Sequence, residues 1–306
     1  MPSFKKILAG IGILLLLLIT YGALIEPRLL MDKREENAYV PNLPDDWNGK
    51  RIALIADFQT GMWWDNTGMV SKIVEEITAS DVDVVLIAGD LVYKPDTSVV
   101  DEAVNLLKPL ADNQIPVYAV LGNHDYSLMK EKSEKRPEIA SYLEAQLETA
   151  SIRVLKNQSV NVGTNANPVH IVGVGSEWAD NSHIDAAMSE VGAKDARIIF
   201  MHNPVSYRDF AANTAPLALA AHTHGGQIRL PFTPQNNWLD IVRDREVVAD
   251  GWSTDEVGAD GNRLYVNRGI GFSLVPMRLF CRPELTIFTL QSSTAGLEEN
   301  DPGAAE

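Results

Sequence analysis

Five short polar clusters in the chain could bind metal ions and move protons: Asp57-Phe58-Gln59, Gly89-Asp90, Gly122-Asn123-His124-Asp125, His202-Asn203 and His222-Thr223-His224-Gly225-Gly226. Carboxylates and amide oxygens suit hard divalent ions, and neutral imidazole suits zinc, iron, manganese or cobalt. A carboxylate shared between two ions can hold them roughly 3.5–4 Å apart, the spacing that two-metal hydrolysis uses. Of the six histidines, four fall in these clusters and only His170 and His183 lie elsewhere. A lone histidine is more often a satisfied structural residue than a ligand. His202, His222 and His224 taken together read as ligands.

The clusters need elements to position them, and each follows a short apolar run: Arg51 to Ala56, Val82 to Ala88, Ile115 to Leu121, Arg197 to Met201 and Leu217 to Ala221. Such runs, with Val169 to Val174 and a final one at Glu284 to Leu290, read as buried strands. Helical patterns at Met69 to Ala79, Val99 to Leu110 and Ile139 to Thr149 separate several of them. Strand and helix alternation predicts an α/β domain. In open α/β sheets, sites lie beyond the carboxyl ends of the strands, which is where all five clusters fall. Asp57 and Asp90 are 33 residues apart, as are Asp90 and Asn123, and both gaps suit strand–helix–strand crossovers.

Lys5 and Lys6 precede 19 uncharged residues, Ile7 to Ile25. As a helix this run is about 28 Å long, close to the hydrocarbon thickness of a bilayer. The run ends without a small-x-small cleavage pattern, so an uncleaved anchor is favoured over a secretory signal. The expected organisation is an anchor over 1–26, a polar Pro-containing linker over 27–50, a catalytic domain over 51–290 and a disordered acidic tail over 291–306. The polar segment Gln235 to Asn262 reads as a surface insertion near the site. Basic residues flank both ends of the anchor (Arg28, Lys33 and Arg34 on the far side), and the domain is expected outside the cytoplasm. A formal net charge of −15 makes a nucleic-acid partner unexpected. The single cysteine, Cys281, excludes an intramolecular disulfide and a thiolate cluster.

The ordered set Asp-x-Gln, Gly-Asp, Gly-Asn-His-Asp, His-Asn and His-Thr-His-Gly-Gly-Gln resembles the calcineurin-like metallophosphoesterase superfamily, over roughly residues 51 to 290. Asn267-Arg268-Gly269-Ile270-Gly271 and Arg282-Pro283-Glu284 resemble its membrane-associated branch, which includes the YkuE- and YaeI-like phosphodiesterases. The resemblance implies a four-layer α/β sandwich: two mixed β-sheets flanked by helices, here preceded by one transmembrane helix. It implies two divalent metal ions, one held by Asp57, Gln59, Asp90 and His224 and the other by Asp90, Asn123, His202 and His222. A hydroxide bridging the ions would attack phosphorus, and His124 would stabilise the transition state or protonate the leaving oxygen. Asp125 would orient His124 or a neighbouring loop, or simply close a turn.

The implied substrate is a phosphodiester or pyrophosphate, with a lipid or lipid-linked headgroup suggested by the branch. A phosphomonoester, a phosphoprotein, or metal binding without turnover are the alternatives. Gln59 departs from the family pattern, where histidine is the commoner residue. An amide oxygen in place of imidazole shifts preference from zinc towards manganese or magnesium, with iron also open. Trp63, Trp64 and Tyr126 could line a cleft or pack. Arg229, Arg268 and Arg278 could grip phosphate or form surface salt bridges. Gly225 and Gly226 could let backbone approach the metals or simply make a turn.

Overall fold

A computed structural model of the chain describes residues 4–94, 96–129, 133–231, 233–237, 248–254 and 257–292. Most of the expected tail lies outside these residues, as does much of the segment from 235 to 262. In chain order the strands are β1 (Asp32–Tyr39), β2 (Arg51–Ile55), β3 (Val84–Ala88), β4 (Val117–Val120), β5 (Ile152–Val154), β6 (Gln158–Asn161), β7 (Val169–Val174), β8 (Ala196–Met201), β9 (Ala218–Ala220), β10 (Arg229–Leu230), β11 (Thr233–Asn237), β12 (Gly251–Trp252), β13 (Leu264–Val266) and β14 (Glu284–Gln291). The helices are α1 (Phe4–Thr20), α2 (Glu26–Leu29), α3 (Thr67–Ala79), α4 (Thr97–Asp112), α5 (Pro137–Thr149) and α6 (Ile184–Met188).

Two six-stranded sheets form, in the orders β1-β14-β2-β3-β4-β5 and β12-β13-β9-β8-β7-β6. Both are mixed: β14 runs antiparallel to β2, while β2, β3, β4 and β5 are parallel. In the second sheet β7, β8, β9 and β13 are parallel, and β6 and β12 close its edges antiparallel.

The apolar runs are continuous because these strands are covered on both faces. Ile52, Leu54, Val84 and Leu86 point into the core between the sheets, against Ile171, Ile198, Phe200 and Leu219. The alternate residues Ala53, Ile55, Val85 and Ile87 meet α3, α4 and α5 on the other side. Those helices present Val70, Ile73, Val74 and Ile77, then Val100, Val104 and Leu107, then Leu143 and Leu147, at helical spacing. The outer face of the second sheet is covered by α6 and the 3-10 segment Pro204–Asp209, through Ala187 and Tyr207. Truncating a residue such as Leu86 in the central layer should cost about 2–5 kcal/mol. The four-layer sandwich of two mixed sheets flanked by helices is therefore present.

Residues 27–50 differ from the expected linker. Pro27 is buried, and β1 pairs in parallel with β14 in register from Asp32↔Glu284 to Tyr39↔Gln291. An edge strand is held by its backbone ladder and by side-chain charges, so its sequence, DKREENAY, carries no apolar run to betray it. Within the segment expected as an insertion, Gly251 and Trp252 likewise belong to a strand of the second sheet, where Trp252 packs on Tyr265 and Phe288.

One buried carboxylate ties β1, β13 and β14 together. Glu284 is fully buried and accepts hydrogen bonds from Tyr265 Oη (2.8 Å), Asn267 Nδ2 (3.2 Å) and Thr286 Oγ1 (2.6 Å). It pairs with Arg268, which also pairs with Asp32 of β1, and lies 3.7 Å from Arg34 Nε. Burial acts to raise its pKa, but Arg268 and Arg34 prevail and hold it below the ordinary carboxylate value. A depressed folded pKa means the contribution is present above about pH 4.5, the unfolded value, and is lost as pH falls below it. Glu284→Gln removes that charge and leaves Asp32 and Asp250 as the carboxylates facing Arg268 and Arg34. The expected loss is about 3–5 kcal/mol, read from urea unfolding of the full chain in detergent at pH 7. The difference from wild type should shrink as pH is lowered through 4.

Candidate metal centre

Strand register brings the five clusters to one edge. Ile55 of β2 pairs with Ile87 of β3, and Ala88 pairs with Val120 of β4, so Asp57, Asp90 and Asn123 all begin at the same level. In the second sheet Phe200 pairs with Leu219, which places His202 and His222 just past their strands. The two edges meet directly: His202 Nδ1 lies 2.8 Å from the Ala88 carbonyl of the first sheet.

The backbone is bent to aim these side chains. Asp57, Gln59, Asp90, His222 and His224 have φ of 53°, 53°, 56°, 73° and 50°, in the left-handed region that residues with a Cβ avoid. Each such residue costs about 1–3 kcal/mol, which the surrounding packing must hold in place.

The first hollow is formed by Asp90, Asn123, His202 and His222. With Nδ1 donating to Ala88, His202 presents a lone pair at Nε2 in its neutral form. That atom is 3.1 Å from Asn123 Oδ1, 3.1 Å from His222 Nδ1 and 3.2 Å from Asp90 Oδ2. Asn123 donates Nδ2 to the Leu128 carbonyl at 2.8 Å, which turns its oxygen inward. Four acceptor atoms crowd one point, an arrangement that repels itself unless a proton or a cation sits among them. Burial would lower the His202 pKa, yet the Asp90 and Asp57 carboxylates raise it to about 9.

The second hollow is formed by Asp57, Asp90 and His224, whose ligand-type atoms all lie within 4.8 Å of one another. Gln59 borders it, donating Nε2 to Asp90 Oδ2 at 2.8 Å. Gln59 Oε1 and Asp57 Oδ1 are buried with no hydrogen-bond partner. A buried oxygen without a partner is costly, and at Asp57, whose carboxylate belongs to this hollow, it suits a cation site. Burial, then Arg278, lowers His224 well below the usual histidine value, which keeps its imidazole neutral. Burial pushes Asp57 up to about 7, with the Asp90 charge adding to it and His202 opposing. Asp90 goes the other way: burial would raise it, but His202 and His124 hold it well below the carboxylate range. Asp90 is common to both hollows. The residues present therefore fit a pair of divalent ions sharing one carboxylate.

Other expected residues take different places. Asp125 does not reach into the site. Its carboxylate accepts the backbone N–H groups of Asp90 (2.9 Å), Val92 (3.1 Å) and Gly122 (2.8 Å), which makes it a clamp on the loops that carry Asp90 and Asn123. A carboxylate so engaged, and absent from the cavity lining, positions loops and does not meet substrate. His124 faces the cavity and stacks on Tyr93 at 5.0 Å, while its backbone N–H donates to Asp90 Oδ1 at 2.9 Å.

Arg229, Arg268 and Arg278 are all buried, neither on the surface nor in the cavity lining. Arg278 donates to the carbonyls of Gly271 (2.9 Å), His224 (3.3 Å) and Arg268 (2.8 Å), bracing the loop that carries His224. Arg229 pairs with Asp250 at 2.9 Å. The glycines that make room for ligands are Gly122, where a Cβ would land on Asp90 Oδ1, and Gly269, at φ 65°, where it would strike Asp57 Oδ2. Gly225 and Gly226 instead abut Arg268 and Asn237. Tyr126 is buried packing, and Trp63 and Trp64 stay exposed outside the cavity lining.

The cavity above the hollows holds about 270 Å3. Besides the metal-type residues it is walled by Met129, Trp178, Ile228, Ser273, Leu274 and Val275, none of which the sequence reading singled out. Trp178 meets His222 edge-on at 4.9 Å and lies in the loop after β7, so the strand-end rule that found the other clusters reaches it too. Leu274 and Val275 sit in an irregular loop, and no local pattern marks them.

Residues 50–226 match the calcineurin-like phosphoesterase family. Phosphodiesterase YaeI of Escherichia coli K12 is 33% identical over 209 residues, covering 68% of this chain and 70% of its own. The uncharacterized metallophosphoesterase YkuE of Bacillus subtilis 168 is 24% identical, covering 89% of this chain and 90% of its own. A dimetal phosphatase from Danio rerio overlays 75% of this chain and 90% of its own at a TM-score of 0.42 and 14% identity, too loosely to bear on the site.

Gly122→Ala tests the hollows without touching a ligand-type residue. The added methyl displaces Asp90 Oδ1 and should weaken manganese uptake by about tenfold or more, measured by calorimetric titration, with the far-ultraviolet circular dichroism unchanged.

Proposed function

This chain belongs to the calcineurin-like phosphoesterase family and is a phosphoric ester hydrolase, and on that footing we propose that it hydrolyses a phosphodiester or pyrophosphate with two divalent ions in the paired hollows. One ion is assigned to Asp57, Gln59, Asp90 and His224, the other to Asp90, Asn123, His202 and His222. The observation that carries this reading is the crowding of three acceptor atoms within 3.2 Å of His202 Nε2. Gln59 contributes a neutral oxygen, so the set as a whole favours manganese over zinc. Two tightly held zinc ions per purified chain would overturn that choice.

When bound, such ions lower the pKa of water and neutralise charge on the phosphoryl oxygens. The chain's own residues then complete the reaction. A water-derived oxygen forms a bond to phosphorus as the bond to the leaving oxygen breaks, and the leaving oxygen takes a proton. His124 is the residue placed to supply it. Burial lowers its pKa and the Asp90 carboxylate opposes that; the ring would give the proton as imidazolium, be left neutral, and take its next proton from water. The apolar wall at Leu274 and Val275 suits a second ester group on the phosphate, which favours a diester, and the phosphodiesterase name of the YaeI relative supports the same choice.

The same proposal makes the N-terminal helix a retained membrane anchor with the domain outside the cytoplasm. α1, the π turn Tyr21–Ile25 and α2 form 26 continuous residues apolar enough to cross a bilayer. Its end is built into the domain: Glu26 is fully buried and accepts the backbone N–H groups of Phe280 (2.8 Å) and Cys281. A segment destined for cleavage would not supply interior contacts. Lipid or lipid-linked headgroups are the substrates such an anchor would bring within reach.

With manganese, the full chain in detergent should cleave bis(p-nitrophenyl) phosphate faster than p-nitrophenyl phosphate or a phosphopeptide. The reverse order identifies a monoesterase or a protein phosphatase, and no turnover of any of the three identifies a metal-binding protein. On a diester whose leaving group is an alkoxide, His124→Ala should lower kcat by about 10²–10⁴ with metal content near normal. Asp90→Ala should lose both ions and activity, and equal metal loss in the two variants would overturn the division between ligand and proton donor.

A further inference from the structure

One wall of the metal cavity is also the seat of the N-terminal helix. Arg278 donates its backbone N–H to Gly22 of that helix at 2.8 Å. A Cβ on Gly22 would meet Met277 Cε at 2.9 Å and Arg278 O at 3.0 Å, so the helix lies flush against the loop. Tyr21 and Phe280 bring their rings within 6.3 Å. Val275, which lines the cavity, is three residues from Arg278, a reach of at most roughly 10 Å. A second loop is tied to the same helix end: Arg28 donates to the Trp64 and Asp65 carbonyls at 2.9 and 2.7 Å and stacks on the Trp64 ring at 4.3 Å.

The depth of this junction follows from the helix itself. Gly22 lies three residues before Ile25, the end of the uncharged run, hence within about 5 Å of the hydrocarbon boundary along the axis. Both docked loops expose apolar side chains there, with Trp63 60%, Trp64 49%, Leu274 63% and Phe280 41% accessible. Large exposed apolar residues gathered beside a membrane span suit the bilayer interface, where tryptophan is at home. Leu274 is at once part of this face and part of the cavity wall.

Building on the hydrolase and anchor reading above, we propose that the face made by the 61–66 and 272–282 loops rests in the bilayer surface, so that the metal cavity opens onto lipid and takes an amphiphilic phosphodiester directly from the membrane. The alkyl part of the substrate stays along Leu274 and Val275 while its phosphate reaches the hollows. Exposed apolar side chains that would be a liability in water become the docking surface.

The test uses the full chain with manganese in phosphatidylcholine vesicles and two diesters that share a leaving group. Hexadecyl p-nitrophenyl phosphate inserts into the bilayer, and methyl p-nitrophenyl phosphate stays in water. In both, water adds to phosphorus, the bond to p-nitrophenolate breaks, and the alkyl monoester remains. The hexadecyl ester should be preferred by about tenfold or more in kcat/KM. Trp63→Ser and Phe280→Asn should leave methyl ester turnover unchanged and cut hexadecyl ester turnover several-fold. Equal use of the two esters, or variants that lower both in parallel or neither, overturns the inference. Quenching by lipids brominated near the headgroup is a second readout, independent of turnover. Wild type should be quenched more than Trp63→Ser, and equal quenching overturns the docked face. If neither diester is cleaved, the phosphodiesterase reading fails, and the quenching result still decides whether this face meets lipid.

Discussion

The structure turns on one contact between its two sheets, the approach of His202 to Asp90 and to the Ala88 carbonyl. Nδ1 of His202 is spent on the backbone of the first sheet, so Nε2 faces three other acceptors at 3.1–3.2 Å. Each ring nitrogen here accepts unless it carries a proton, so the cluster needs a proton or a cation at its centre, and the rest of the site keeps that demand in place. The core between the sheets fixes their separation, and the matched strand ends bring carboxylates from one and imidazoles from the other to a common edge.

Holding that edge requires strain and buried charge. Five of the metal-type residues adopt left-handed backbone, and Gly122 and Gly269 leave room that any side chain would fill. The surrounding charges hold loops in position and lie outside the cavity lining. Asp125 gathers three backbone N–H groups, Arg278 gathers four carbonyls, and Arg268 links the first sheet's edge strand to Glu284. Low dielectric makes each of these partners costly to lose. Asp125 takes the loop-holding role expected of it, and the three arginines lie buried among protein partners, neither on the surface nor in the cavity lining.

The same bracing extends to the N-terminal helix. Glu26 caps the backbone at Phe280 and Cys281, and Arg278, two residues earlier, supports the His224 loop. The N-terminal helix, the cavity wall and the loop of His224 thus form one continuous set of contacts. A fragment beginning near Val40 would lose β1 and the Glu26 cap along with the helix.

Much of the site was legible in the amino-acid sequence, because strand ends and metal ligands leave local marks. An apolar run followed by Asp, Asn or His identifies both the strand and what it delivers, and every metal-type residue read that way lies at the common edge. Tertiary structure alone decided what depends on partners distant along the chain. Strand β1 is polar and is a strand because β14 pairs with it, some 250 residues away. Leu274 and Val275 are cavity wall because Gln227 holds Ser273 and Val275, and Arg278 is a brace because the carbonyls of His224, Arg268, Gly271 and Cys281 converge on it. Residue type and spacing record what a side chain can bind. Only the folded arrangement determines whether that capacity is free or already used.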